Sequence, residues 1–531
     1  MVASVHPIAT DAGVAAFKSG GNAIDAAIAT ALTLGVVDGH NSGIGGGCFM
    51  LIRTADGHFY CLDGREMAPA AATPDMFIRD GKGDTHLSQN GPLASGVPGS
   101  VAVYAYAAEH FGKKKLADLI LPAAQIAEDG FPIDDKYAGK LKSQAKEIAK
   151  FPASAAILLK ADGSPYKTGE ILKQTDLAKT YRALAAQGPD YYYHGPFAQA
   201  VATWMKANGG ILTAADYAHY QMKLRDPLIT TYRGYTIVGF PPPSSGGLHV
   251  AQILSMIEPF DIGGLEKTNP AQRISVMADA MDLAFADRAY FLGDPDFVHV
   301  PKGLLDPAYL AARSKMIDPS HALPQIEHGN PPEFDTEYFG KHTTHISTAD
   351  DQGNWVALTT TVNTAFGSKV IIPGTGVIMN DQMDDFSIQP GVPNAFKLVG
   401  ADANAIAPFK RPCSCMSPTI VLKNGKPIMT VGAAGGPKII TQVVLLISNV
   451  IDLHDDLGTA IARPRFHDQW SPAEVWIEDS FPKNLMDELT KMGHKLDVEK
   501  PTGATQAILR EPDGTFVGAS EPRVPGKAAG F

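Results

Sequence analysis

KHTTHISTADDQGNWVALTTTVN, residues 341–363, reads as a β-hairpin with a threonine at each open end. Side chains alternate from Thr343 to Ala349, Asp351-Gln352-Gly353 supplies turn residues, and Trp355 to Val362 is β-branched and strand-like. Mirroring about Gln352 sets Thr343 opposite Thr361. Facing residues of an antiparallel ladder hold their Cβ atoms about 4.5–5.5 Å apart, close enough for hydroxyl to meet hydroxyl.

Such a pair is ordinarily an unremarkable cross-strand contact, and it can equally be a catalytic one. A threonine becomes a strong nucleophile when its own α-amino group is free to act as base. Thr343 lies far from both termini, just after the polar stretch Gly329–His342, so that chemistry requires cutting the His342–Thr343 bond. The sharper reading is therefore a self-cleaving precursor whose new N-terminus is the active site.

The rest of the composition narrows the field. At 531 residues the chain has the length of about three ordinary domains, although layered α/β enzymes of this size form one body. Its net charge of −11 argues against nucleic acid or an anionic membrane as the main partner. No run of 18 apolar residues is present, so no membrane span is expected; Ala23–Val37 is too short, carries Asp25, and reads as a buried helix. The opening MVASVHPIAT has neither a basic region nor an apolar core, so the protein is cytosolic or its sequence begins after a leader. Cys48, Cys61, Cys413 and Cys415 fit no zinc spacing and read as packing residues, with Cys413 and Cys415 pointing the same way on an extended segment.

Periodicity places consecutive helices at Pro7–Ser19 and Asn22–Leu34, broken at Gly20-Gly21. A hairpin turns at Asp56-Gly57, and residues 101–220 are mostly helical with breaks at Gly112, Gly130, Gly163 and Gly188. Helices follow over Leu248–Ile257 and Ala271–Leu292, then an exposed linker over Ala322–Gly340. After residue 363 a strand is expected around Val377 and an irregular stretch over Gln389–Pro412. A hairpin turns at Asn424-Gly425, a helix spans Lys438–Leu453, and a last αβ unit completes a layered α/β sandwich.

GIGGGC at 43–48 lacks the Lys-Ser/Thr ending of a phosphate loop and precedes a strand, which points to close backbone packing beneath a site. DQMDDFS lacks the glycine and glutamate of a calcium loop, and neither HExxH nor GxSxG is present. Gly435-Gly436, between a strand and a helix, is either a tight turn or a pair of amides aimed at one oxyanion. Arg65, taken alone, reads as a surface salt-bridge partner.

Taken together, these segments resemble the γ-glutamyltransferase (γ-glutamyl transpeptidase) family of the N-terminal nucleophile hydrolase superfamily. The likeness runs nearly end to end: GGNAIDAAIATALTLGVV at 20–37, SGIGGG at 42–47, REMAP at 65–69, PPPSSGG at 241–247 and LAFADRAYFLGDPDF at 283–297. The second half adds TTHIS at 343–347, NDQMDDFS at 380–387, KRPCSCMSPTIV at 410–421 and the glycine pair at 435–436. The resemblance implies a four-layer αββα sandwich and no cofactor or metal. It implies cleavage between His342 and Thr343 into a large chain 1–342 and a small chain 343–531 that stay together as a heterodimer. Thr343 would be the nucleophile, its freed amine (reference pKa about 7.7–8.0) the base, and Thr361 the holder of its hydroxyl.

By the same resemblance Arg65, Ser414 and Cys415 would bind the substrate's α-carboxylate. Asn363, Gln382 and Asp385 would surround its α-ammonium, and the Gly435 and Gly436 amides would stabilise the oxyanion. The implied partners are glutathione and other γ-glutamyl donors, with water, amino acids or peptides as acceptors. A periplasmic or secreted location is implied as well. The chain departs from the family at three places: Cys415 stands for a second serine and is a weaker donor, Pro437 follows the glycine pair, and Phe396 stands where some relatives carry a lid tyrosine. Two other readings are a superfamily acylase for glutaryl β-lactams or poly-γ-glutamate, and an unprocessed, non-catalytic relative. Asn363, Gln382 and Asp385 argue against the acylase.

Overall fold

A computed structural model of the chain describes residues 1–332, 345–501 and 503–531. Thr343 and the His342–Thr343 bond lie outside the described residues. The strands that build its centre are, in chain order, β1 Val2–Ser4, β2 Gly47–Arg53, β3 Phe59–Gly64, β4 Lys223–Arg225, β5 Leu228–Tyr232 and β6 Tyr235–Gly239. Then come β7 His345–Ala349, β8 Trp355–Thr361, β9 Thr419–Lys423, β10 Lys426–Gly432, β11 Gln506–Arg510, β12 Phe516–Ser520 and β13 Lys527–Ala529. They form two sheets, β13-β1-β7-β8-β2-β3-β4 and β12-β11-β10-β9-β6-β5, antiparallel throughout.

Strand alternation produces the layers. Phe49 and Leu51 of β2, Cys61 of β3 and Trp355 and Ala357 of β8 meet Val238, Ile420, Leu422 and Ile508 of the other sheet. Their neighbours Cys48, Met50, Ile52, Leu62, Val356 and Leu358 turn outward onto helices α1 Pro7–Lys18, α2 Ala23–Val37, α3 Leu116–Asp129 and α4 Thr175–Gln187. On the second sheet Ile237, Val421, Met429 and Val431 face α5 Gly246–Ile257, α6 Pro270–Phe291 and α7 Lys438–Ile451. The order helix, sheet, sheet, helix is the αββα sandwich that the resemblance implied. Helix α2 is buried along its whole length and starts at a capping box between Asn22 and Asp25. That explains why an Ala-rich segment with an acidic residue sits in a core.

Most expected turns are where the glycines put them. Asn424 and Gly425 both have positive φ between β9 and β10, as a two-residue hairpin loop requires. Two expectations fail. No strand forms at Val377: Ile371 and Ile378 make one isolated bridge, and Gly374 and Gly376, both with positive φ, turn the chain between them. The C-terminus is more than an αβ unit, because after helix Lys483–Met492 and strand Leu496–Glu499 the chain returns through β11, β12 and β13 to edge both large sheets. None of the four cysteines forms a disulfide among the described residues, all four are buried, and Cys413 and Cys415 share one core cluster, in keeping with their spacing.

Candidate active site

The hairpin has the register that mirroring about Gln352 requires: His345 lies opposite Thr359, and Ala349 opposite Trp355. Strand β8 continues to Thr361, which pairs with Gly47 on β2. Glycine is forced there by proximity. A Cβ on Gly46 would overlap the Thr361 carbonyl, and one on Gly45 the Ile378 carbonyl, so GIGGG is close backbone packing beneath the site. His345, the second residue after Thr343, is enclosed between the sheets, with Nδ1 3.2 Å from Thr359 Oγ1 and Nε2 3.0 Å from Ser347 Oγ. Burial lowers its pKa to about 3, so the ring stays neutral and serves as an anchor. Its ring lies against Gly432, so the start of β7 is seated on the strand that leads to the Gly435-Gly436 turn.

From Thr361 the contacts close into a ring. The Asn363 backbone N–H donates to Thr361 Oγ1 at 2.7 Å, and Asn363 Nδ2 donates to the Asp381 carbonyl at 3.0 Å. Next along the chain, Gln382 Nε2 donates to Asp385 Oδ2 at 2.8 Å. Arg65 Nη2 meets the same oxygen at 2.5 Å while its Nη1 reaches Glu66 Oε2 at 3.2 Å. Glu66 lies against Gly47, the residue paired with Thr361. Arg65 is thus no surface residue: it is fully buried between two carboxylates, with Nε donating to the Pro412 carbonyl at 3.1 Å.

Several polar atoms in this ring have no hydrogen-bond partner among the described residues: Ser414 Oγ, Gln382 Oε1 and Glu66 Oε1, all buried. Native interiors satisfy nearly all such atoms, so a cluster of exceptions marks a place built for a polar guest. Burial raises the pKa of Glu66 to about 7, against the pull of Arg65, and that of Asp381 to about 7 as well. Ser414 is held by its main chain, its N–H donating to the Pro243 carbonyl at 3.1 Å and its carbonyl accepting from Ser245 N and Oγ. The PPPSSGG turn is therefore the bed of the Ser414-Cys415 segment. Arg288 of α6 donates from Nε to Ser245 Oγ at 3.2 Å; burial disfavours its charge, but Cys415, Cys413 and Asp385 together outweigh that and raise its pKa.

Between β10 and α7 the chain turns through Gly435 (φ +132°) and Gly436 (φ +59°), a conformation that favours glycine twice in succession. Among the described residues neither amide donates to a backbone carbonyl. Pro437 follows with helical φ and ψ, and its missing N–H costs nothing at a helix start. Phe396 covers the turn: a Cβ on Gly436 would stand 2.5 Å from its ring. The segment carrying Phe396 is fastened by Asp384 Oδ2, which accepts from Ala395 N at 2.9 Å, and by Gln469 Nε2, which donates to the Phe396 carbonyl at 3.2 Å.

Of the residues singled out in the sequence, the structure brings Arg65, Thr361, Asn363, Gln382 and Asp385 into one ring; Ser414 joins through the neighbouring Pro412–Cys415 segment. Phe396 joins Gly436. His342 and Thr343 lie outside the described residues. Sequence reading missed Glu66, Asp381 and Arg288. Glu66 adjoins Arg65 in REMAP and Arg288 lies inside ADRAY, but only the fold reveals that either is buried against the site.

A family model of gamma-glutamyltranspeptidase matches residues 9–531. The glutathione hydrolase proenzyme of Escherichia coli (strain K12) is 43% identical over 525 residues, which span 98% of this chain and 90% of that protein. Among solved structures, cephalosporin acylase from Bacillus halodurans superposes with a TM-score of 0.88 at 29% identity, covering 100% of this chain and 95% of its own. Helicobacter pylori gamma-glutamyltranspeptidase matches with a TM-score of 0.60 at 40% identity over 61% of this chain and 94% of that chain.

Proposed function

Because the chain belongs to the γ-glutamyltranspeptidase family, we propose that it is a glutathione hydrolase proenzyme that cuts itself before Thr343 and then transfers γ-glutamyl groups. The observation that carries this reading is the Arg65–Asp385 ion pair, ringed by the unpartnered Ser414 Oγ and Gln382 Oε1, beside the end of β8.

In the precursor, Thr343 Oγ attacks the His342 carbonyl and the acyl group moves from nitrogen to oxygen. Water cleaves that ester, leaving chains 1–342 and 343–531. The new α-amine takes the hydroxyl proton as Oγ attacks the γ-carbonyl of a glutathione-like donor. Negative charge that develops on the carbonyl oxygen meets the Gly435 and Gly436 amides. The C–N bond then breaks and the departing amine takes the proton. Water or an acceptor amine next attacks the ester carbon, its C–O bond to Thr343 breaks, and the threonine hydroxyl is restored. Thr361, whose oxygen already accepts from Asn363, is the residue assigned to hold the Thr343 hydroxyl.

Substrate selection follows from charge. A γ-glutamyl group carries a carboxylate and an ammonium on one carbon, and Arg65 and Asp385 present the complementary pair. On entry the zwitterion replaces one buried ion pair by two, so neither protein charge is left uncompensated. Ser414 Oγ supplies a donor to the carboxylate, with Arg65 as the bidentate partner, and the Cys415 N–H stands beside it. Gln382 and Asn363 complete the ammonium side.

The superposition with a cephalosporin acylase favours a second reading, a glutaryl-type acylase. Asp385 and Gln382 oppose it, since a glutaryl group has no ammonium for them to hold. An exported, periplasmic or secreted, location belongs to the same proposal and is tested by cell fractionation; among the described residues no helix is long and apolar enough to cross a membrane.

Denaturing mass spectrometry of the purified protein tests the core of the reading. Wild type gives two chains, the smaller beginning at Thr343, and releases nitroaniline from a γ-glutamyl anilide. Thr343→Ala stays as one chain and is inactive. Turnover by that variant would remove Thr343 as the nucleophile.

A further inference from the structure

After β8 the backbone stays strained. Asn363, Phe366 and Lys369 all have positive φ (+81°, +62° and +65°), a region rare for any residue but glycine. Such backbone persists only where the surroundings impose it, and it collects at functional sites. The residue that imposes it here is Asp381, to which the proposed mechanism gives no part.

Asp381 is fully buried and grips the loop with main chain and side chain together. Its N–H donates to the Val362 carbonyl at 3.2 Å, and its own carbonyl accepts from Asn363 Nδ2 at 3.0 Å. Its carboxyl group accepts from Thr364 N at 2.9 Å through Oδ1, and from Thr364 Oγ1 through Oδ2. Lys369 Nζ, also buried, donates to Thr364 Oγ1 at 3.0 Å and to the Gly367 carbonyl at 2.7 Å, and lies 4.0 Å from Asp381 Oδ2. An ammonium only donates, so the Thr364 hydroxyl gives a lone pair to Lys369 and points its proton at Asp381. Thr364 thus supplies both hydrogens that reach the carboxyl group, and this geometry calls for the ionised acid.

Two charged groups act on Asp381. Lys369, from the loop, favours the carboxylate, and Asp384, from its own turn, opposes it. Helix Thr85–Gln89 packs beside both: Ser88 Oγ and Gln89 Nε2 donate to Asp384, and the Gln89 carbonyl accepts from Lys369. Burial outweighs the cation and brings the acid to about 7, so it changes state near neutral pH. Protonation adds a third hydrogen to the Thr364 contacts and removes the counter-charge of the buried Lys369.

We propose that Asp381, ionised and bridged to Lys369 through the Thr364 hydroxyl, is a positioning residue that holds Asn363 in the geometry that receives the substrate's ammonium. Protonating it loosens that hold, so donor binding weakens as pH falls through the titration of this one acid. The inference rests on the γ-glutamyl transfer proposed above.

The test follows hydrolysis of γ-glutamyl-p-nitroanilide from about pH 5.5 to about pH 8.5, as the ratio of wild-type to variant kcat/KM. Groups common to both proteins, Glu66 and the Thr343 amine among them, cancel in that ratio. An incomplete active fraction scales it equally at every pH. Asp381→Asn keeps the shape of the protonated acid and cannot ionise. Against it the ratio rises about tenfold across this range, carried by KM rather than kcat. Lys369→Gln removes the cation that favours the carboxylate and shifts the titration up by about one pH unit, so the ratio of wild type to that variant passes through a maximum above about pH 7. No uniform folding defect imitates a maximum.

A ratio independent of pH for Asp381→Asn overturns the assignment. So does a ratio without a maximum for Lys369→Gln, which decides the matter should Asp381→Asn stay uncleaved. If both variants stay uncleaved, the pair serves the fold and the assignment falls as well. Wild type that neither cleaves itself nor releases nitroaniline overturns the transfer reading, and this proposal with it.

Discussion

At the scale of single residues, the site is governed by how few charges it leaves uncompensated. Arg65 is enclosed by Asp385 and Glu66, and removing one partner of a buried pair costs about 3–5 kcal/mol because the other charge stays behind. Asp385→Asn is therefore expected to lower Tm and to raise donor KM more than tenfold, read by calorimetry and anilide kinetics. Glu66 adds a pH dependence whose sign is fixed. Its pKa rises from 4.5 to about 7 on folding, so its contribution is full below pH 4.5 and is lost as pH rises through 7. Glu66→Gln should thus match wild type in Tm near pH 5 and exceed it near pH 8, by the equivalent of about 2–3 kcal/mol. Equal slopes of Tm against pH for the two proteins would falsify the assignment. Arg65 shows why single residues mislead: an arginine followed by a glutamate in a polar stretch has the signature of a surface pair, and Asp385, 320 positions away, is what draws it inside.

At the scale of elements, the hairpin and the glycine run form one device. Alternation, turn residues and β-branching within 341–363 were enough to place β7, β8 and their register, because hairpin pairing depends only on neighbours in sequence. The reason for GIGGG was legible only as close approach; its target, the Thr361 carbonyl, is on a strand more than 300 residues later. Gly46→Ala drives a methyl group into that carbonyl and must displace β8 or β2. We expect a loss above about 3 kcal/mol, together with failed self-cleavage, measured by denaturant titration and by the one-chain or two-chain pattern on a denaturing gel. A variant that cleaves at the wild-type rate would show that the end of β8 need not sit where Gly46 holds it. The strand expected at Val377 fails for the complementary reason: apolar, β-branched residues propose a strand, but two glycines at positive φ leave no length to pair.

At the scale of the whole molecule, the proposed cleavage before Thr343 would divide the sequence but not the fold. In the first sheet β1, from the proposed large chain, lies between β13 and β7 of the proposed small one, and β8 pairs with β2 across the same division. In the second, β9 of the proposed small chain pairs with β6 of the proposed large one. Both chains share each sheet and the layer between them, so they should co-elute in size-exclusion chromatography at any salt concentration and separate only in denaturant. Separation by salt alone would contradict that interleaving. Sequence alone was sufficient for whatever rests on local pattern or on long matching segments: the hairpin and its register, most helices, the αββα class, the glycine turn, and the choice of Arg65, Asn363, Gln382, Asp385 and Ser414 as candidates, which the fold brings together. Tertiary structure was needed for whatever depends on burial and on distant partners. Low dielectric turns Glu66 and Asp381 into groups that titrate near neutrality, packing encloses Arg65, and the returning C-terminal strands close both sheets. Above all, two chain segments far apart in sequence, one bearing Gly435 and Lys438 and the other Trp476 and Glu499, meet to form a cavity that no run of residues encodes.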